Sequence, residues 1–193
     1  HFEGVYHNCR IYVEDKLAGQ HRYGYTAFDV DISDFVRAGS NTVRVEVDNS
    51  LEPNCRWYSG SGIYRPVSLL IREKEHISKA HLETVDIHPA KIRVEVETTA
   101  DIDVSVEVWD GENRVAHGSS GIIDIPDAKL WSGEEPFLYK VVVKTATDEQ
   151  VIPFGIRKLE WGPEKGMTVN GKRVLLRGGC IHHDHGALGA RAL

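Results

Sequence analysis

The sequence predicts an all-β chain, with two β-sandwiches in tandem. Three observations carry this reading: period-two alternation of Val and Ile with charged residues, turn clusters between the alternating runs, and no sustained helical stripe. Thr42-Val43-Arg44-Val45-Glu46-Val47 alternates, as do Lys91-Ile92-Arg93-Val94-Glu95-Val96 and Asp103-Val104-Ser105-Val106-Glu107-Val108. Such runs put Val on one face and charge on the other, as in an antiparallel sheet with one wet face. Ala38-Gly39-Ser40-Asn41, Asp110-Gly111-Glu112-Asn113 and Ser132-Gly133 supply the turns.

The elements follow in chain order. Ile63 to Ile71 reads as an apolar strand, and Arg72-Glu73-Lys74-Glu75-His76 as a polar link. A second group of strands continues to about Arg157, until Trp161-Gly162-Pro163-Glu164-Lys165-Gly166 breaks the pattern. Asn170-Gly171 between Met167-Thr168-Val169 and Lys172-Arg173-Val174-Leu175-Leu176 is a strong hairpin signal. Val174–Arg177 reads as one further strand. The expected domains are 1–73, 74–160 and 161–193.

Length and composition fit a folded chain. Its 193 residues suit one large or two small domains, and 41% hydrophobic with 27% charged residues permits a sizeable core. The net charge of −6, with no Lys/Arg run longer than two, gives no electrostatic footprint for nucleic acid or an anionic membrane. No apolar stretch reaches the roughly 20 residues of a membrane span. Cys9, Cys55 and Cys180 are too few and too scattered for a disulfide scaffold. A reducing compartment, and so a cytoplasmic parent, is the expectation. The start at His1-Phe2-Glu3, without Met and inside a strand pattern, suggests that native sequence was removed upstream.

Three constellations could carry chemistry. His182-His183-Asp184-His185 crowds titratable groups at the end of a strand. It reads as a metal site, as a solvated loop, or as a ligand-facing loop of the kind α/β barrels place there. Neither a helical HExxH nor a Cys pair supports the metal. Asn54-Cys55-Arg56-Trp57-Tyr58-Ser59-Gly60-Ser61-Gly62-Ile63-Tyr64-Arg65 mixes aromatic, cationic and small residues. It suits either sugar stacking or a buried Trp-Tyr corner, and on composition the corner is favoured, with Trp57 structural. Leu130-Trp131-Ser132-Gly133-Glu134-Glu135-Pro136-Phe137-Leu138-Tyr139 holds two neighbouring carboxylates. Glycoside hydrolysis needs carboxyls facing each other, about 5–5.5 Å apart for retention. Adjacent residues point apart, so Trp131 and Tyr139 as core residues is the better reading.

Taken together, these stretches resemble family 2 glycoside hydrolases of the β-galactosidase type. Phe2-Glu3-Gly4-Val5-Tyr6, Gly24-Tyr25-Thr26-Ala27-Phe28 and Arg56-Trp57-Tyr58-Ser59-Gly60-Ser61-Gly62-Ile63-Tyr64-Arg65-Pro66-Val67 are similar to the family's sugar-binding domain. Leu130-Trp131-Ser132, Pro136–Tyr139 and Phe154-Gly155-Ile156-Arg157 resemble its immunoglobulin-like domain. Asn170 to Gly178 and His182-His183-Asp184 look like the entry to its (β/α)₈ barrel. The resemblance implies a partial galactose-binding-like jelly roll at 1–73, an immunoglobulin-like sandwich at 74–160, and the first strand of a truncated barrel at 161–193. It implies a retaining exo-β-glycosidase parent for terminal β-galactosides, with β-glucuronidase or β-mannosidase as alternatives. A stand-alone carbohydrate-binding or scaffold module is the reading from another class. The family's acid/base Glu follows an Asn, and no Asn-Glu pair occurs here. The chain is therefore expected to hold no catalytic residue, no cofactor and no metal ligand, with Mg²⁺ belonging to the parent. Expected substrate contacts are His182, Asn54 and Arg56. The expected partners are a β-linked sugar and the rest of the chain's own barrel, and the resemblance allows a homo-oligomeric parent.

Overall fold

A computed structural model describes residues 1–51 and 60–180. Among them lie fifteen strands and no helix, so no helix is long and apolar enough to cross a membrane. They fall into two compact units, His1–Leu70 with 178–180, and Ile71–Arg177.

The first unit is built on β2 (Cys9–Val13), which pairs antiparallel with β3 (Lys16–His21) on one side and β4 (Val43–Val47) on the other. Beside this sheet, β1 (Val5–Tyr6) pairs with β5 (Gly62–Ile63). Alternation sends Cys9, Ile11 and Val13 inward, where Cys9 and Ile11 join Phe2 and Val5 in a small core. Burial holds the Cys9 thiol protonated by pushing its pKa up. The apolar run Ile63 to Ile71 does not form the single strand its composition suggests. The ladder is reduced to Gly62–Ile63 and an isolated Val67–Phe2 bridge, with single backbone bonds from Tyr64 N–H to Gly4 O, Glu3 N–H to Pro66 O and Ser68 N–H to His1 O. Pro66 offers no N–H to a ladder, which interrupts the run. The turn between β2 and β3 places Glu14 and Asp15 both at positive φ, 47° and 65°. Glu14 is held there by Thr42 N–H on Oε1 at 2.6 Å and by Arg37 on Oε2 at 3.2 Å.

The second unit is a two-sheet sandwich. One sheet has the order β10-β7-β6, made of β6 (Ile77–Ile87), β7 (Ala90–Thr98) and β10 (Gly121–Asp124). The other has the order β12-β11-β8-β9, made of β8 (Ser105–Asp110), β9 (Asn113–Gly118), β11 (Tyr139–Lys144) and β12 (Glu149–Phe154). Inward residues of both sheets interdigitate: Ile77, Ile92, Val94, Val106, Val108, Val141 and Val143 are fully buried. The alternating runs thus put Val and Ile inside, and Arg93 pairs with Glu83 outside. Tyr139 fills the core as expected, and its hydroxyl accepts the Lys129 N–H at 2.7 Å. Trp131 does not join that core. It lies half-buried at the rim, its indole against Gly155 and under the Arg157 guanidinium at 4.5 Å, because an added Cβ at Gly155 would meet the ring at 2.9 Å.

A hairpin closes this unit: β13 (Leu159–Gly162), β14 (Gly166–Val169) and β15 (Lys172–Arg173). Asn170 and Gly171 take the positive φ values, 51° and 77°, that a tight two-residue turn requires. Val174 N–H adds a bond to Met167 O at 2.9 Å, and 175–180 has no ladder partner among the described residues.

Candidate functional site

The three substrate contacts expected from sequence, His182, Asn54 and Arg56, lie outside the described residues, as do Trp57, His183, Asp184 and His185. What the structure describes are the segments that lead to them. On the side of Asn54 and Arg56, Asn49 Nδ2 donates to Ser61 Oγ at 2.9 Å, and the β1–β5 pair puts Tyr6 opposite Gly62. Asp48 caps the turn before them: its carboxylate accepts the Ser50 hydroxyl at 2.5 Å and the Ser50 N–H at 3.0 Å. Those two bonds hold its pKa below the usual carboxylate range.

On the side of His182, the hairpin is clamped to the sandwich by one side chain. Asn170 Oδ1 accepts the Lys158 N–H at 2.9 Å and Asn170 Nδ2 donates to Trp131 O at 3.0 Å. Its own N–H donates to Lys158 O at 2.9 Å. All three groups are satisfied by the strand and loop that frame the hairpin, so the Asn170 turn is fixed relative to the rest of its unit.

The neighbouring carboxylates Glu134 and Glu135 do not make a catalytic pair. Both are exposed in a turn closed by Ser132 N–H on Glu135 O at 2.9 Å and by Glu135 N–H on Ser132 Oγ at 3.0 Å. The Glu134 carboxyl is held below its ordinary pKa by its own backbone N–H and then by the Ser132 hydroxyl. A general acid for glycoside cleavage needs the opposite shift. A shallow depression of about 500 Å³ beside this turn is lined by Lys129, Leu130, Glu135, Pro136 and Phe137. Lys129 is engaged there by Asp110 at 2.6 Å. No group of three or more His, Cys, Asp or Glu that could hold a metal ion occurs among the described residues.

A feature that the sequence reading left unassembled lies in the first unit. Tyr6, Tyr23, Tyr25 and Tyr64 meet edge to face, with centroids 5.3 Å (Tyr6–Tyr25), 6.0 Å (Tyr23–Tyr25) and 6.3 Å (Tyr25–Tyr64) apart. The only hint in the sequence is the Tyr23-Gly24-Tyr25 triplet, whose glycine lets Tyr6 close on the backbone.

The sugar-binding domain model of glycosyl hydrolases family 2 matches residues 1–73, and the glycosyl hydrolases family 2 model matches residues 71–157. The chain belongs to glycosyl hydrolase family 2. Relatives agree across almost its whole length. A β-galactosidase of Bacteroides ovatus is 32% identical over 98% of the chain, and a β-glucuronidase of Bacteroides fragilis is 30% identical over 97%. The chain spans only 26% and 33% of the lengths of those two enzymes. Among solved structures, a family 2 member from Bacteroides cellulosilyticus superposes with a TM-score of 0.87 at 35% identity, over 99% of this chain and 30% of that one. The all-β architecture of this family 2 chain, with its jelly-roll and immunoglobulin-like parts, is the one these relatives share.

Proposed function

We propose that the chain is the non-catalytic sugar-binding and immunoglobulin-like portion of a retaining exo-β-glycosidase acting on terminal β-galactosides. One observation carries the reading: both family models match in tandem, and the alignment to a β-galactosidase runs through 98% of the chain. In the parent reaction one glutamate attacks the anomeric carbon. A second protonates the leaving oxygen and then activates water. The lowered pKa of the exposed Glu134 is the wrong shift for the acid, and its neighbour Glu135 lies beside it in one turn rather than facing it. The chain's own part is to scaffold and to present His182, Asn54 and Arg56 to the sugar. A β-glucuronide substrate is the second reading, favoured by the equally continuous match to the Bacteroides fragilis β-glucuronidase.

A panel of nitrophenyl β-galactoside, β-glucuronide and β-mannoside tests both halves of the proposal. The purified chain should turn over none of them, and the parent should prefer the galactoside. Turnover by the chain that vanishes on mutating one of its residues would refute the non-catalytic assignment. In the parent, His182→Ala should lower kcat/KM by at least about tenfold, or some 1.4 kcal/mol, without changing magnesium dependence. Normal kinetics in that variant would remove His182 from the substrate contacts.

A further inference from the structure

Of the chain's six asparagines, only Asn170 is followed by a glycine. That dipeptide has a chemistry of its own. With no Cβ on Gly171 in the way, its backbone nitrogen can close on the side-chain carbonyl carbon of Asn170 and form a five-membered succinimide. The new bond joins Gly171 N to Asn170 Cγ, and the bond from Cγ to Nδ2 breaks. The amide nitrogen leaves as ammonia, taking the proton that Gly171 N gives up. Water then opens the ring at either carbonyl. One product is aspartate. The other is isoaspartate, whose main chain runs through Cβ and Cγ. Water is the sole co-reactant, and nothing is oxidised or reduced.

The fold holds both ends of that amide. Oδ1 accepts the Lys158 N–H at 2.9 Å, and Nδ2 donates to Trp131 O at 3.0 Å. The residues just before it, Thr168 and Val169, are buried and paired with Arg173 and Lys172. Attack at Cγ turns a planar carbon tetrahedral and expels Nδ2. The bond to Trp131 is then lost and the bond to Lys158 displaced. Two hydrogen bonds of ordinary net strength amount to a restraint of roughly tenfold or more.

We infer that Asn170-Gly171 is a succinimide-forming deamidation site that the Asn170 clamp keeps silent in the folded chain, and that its conversion unlatches the hairpin for good. Neither product rebuilds the clamp. Aspartate keeps an oxygen for the Lys158 N–H but sets a second acceptor against Trp131 O. Isoaspartate lengthens the main chain of a two-residue turn, so Val169 can no longer face Lys172 in register. Old and new molecules of one sequence would then differ at this turn.

The test is site-resolved mass spectrometry of the whole chain, aged in mildly alkaline buffer and digested at intervals. Conversion at Asn170 should run at least about tenfold slower in the native chain than in the same chain under full denaturant. Equal rates would overturn the clamp, and no conversion even in the denatured chain would overturn the site. Below the unfolding transition the rate should rise only weakly with urea and follow amide exchange at Lys158, because opening one hairpin exposes little surface. A rise with the full slope of global unfolding would show that the clamp does not gate the reaction. Asn170→Gln cannot close the five-membered ring and should abolish the signal. A signal that survives in that variant belongs to another residue and would overturn the assignment. Purified converted chain should exchange the Lys158 amide faster than fresh chain. Unchanged exchange there would refute the one-way unlatching.

Discussion

The two units solve the same folding problem with unequal means. Among the described residues, the sandwich of 71–177 gathers twelve buried residues in one core, drawn from both sheets. The unit of 1–70 gathers four, and leaves Val43, Val67, Leu69 and Leu70 exposed. Hydrophobic stabilisation scales with the apolar area removed from water, so the second unit holds most of it. The first unit instead carries the clustered tyrosines and the segments leading to Asn54 and Arg56. The larger buried core of the chain thus lies in its second unit.

The largest expected effect comes from separating the halves. Residues 71–177 expressed alone should unfold cooperatively on heating, whereas residues 1–70 alone should lack a cooperative transition by circular dichroism. A sharp melt for 1–70 would break the comparison. Next in size is Ile92→Ala. Ile92 is fully buried near the start of β7, and its loss should cost about 2–5 kcal/mol in denaturant unfolding of the sandwich. A smaller loss would mean that the core collapses around the gap.

Asn170→Ala should cost less, about 1–2 kcal/mol, because it removes two side-chain hydrogen bonds and leaves the Lys158 N–H and Trp131 O to find other partners. Amide exchange of Lys158 should rise with it. An unchanged rate would show that the turn is held by its backbone alone. The smallest effect has the opposite sign and lies in the first unit. Asp15→Gly should stabilise the chain by about 0.5–1 kcal/mol, because Asp15 sits at a φ of 65° with its side chain almost wholly in solvent. A destabilised variant would show that its 3.5 Å ion pair with Arg44 outweighs the backbone strain.

Asn170 and Asp15 also mark what could be read from the sequence. The Asn-Gly turn was legible because its backbone need is written in the two residues themselves. The clamp made by the Asn170 side chain was not, because its partners are Lys158 and Trp131, 12 and 39 positions away. Glu14-Asp15 gives no turn signal at all, since Thr42 and Arg37 hold that conformation from elsewhere. Two of the three alternating runs became β7 and β8 with their apolar faces inward, because period two survives whatever the partner strand is, while the third became β4 with Val43 left exposed. The run Ile63 to Ile71 misled, since hydrophobicity says nothing of the missing N–H at Pro66. The tyrosine cluster was illegible for the same reason as the clamp: Tyr6, Tyr25 and Tyr64 come together only when β1 and β5 pair.

Phe2 bridges to both Phe28 and Val67, with its ring stacked on Phe28 at 5.0 Å. Those partners are 26 and 65 residues downstream, so the contacts around Phe2 enclose long stretches of chain. Closing such loops is entropically slow, and the ladders that reward it come late. On the ribosome, Phe2 emerges long before Val67 does. Until then its ring can find Phe28 but its backbone lacks the second bridge, and the first unit must wait, partly open, for its own far end to be made.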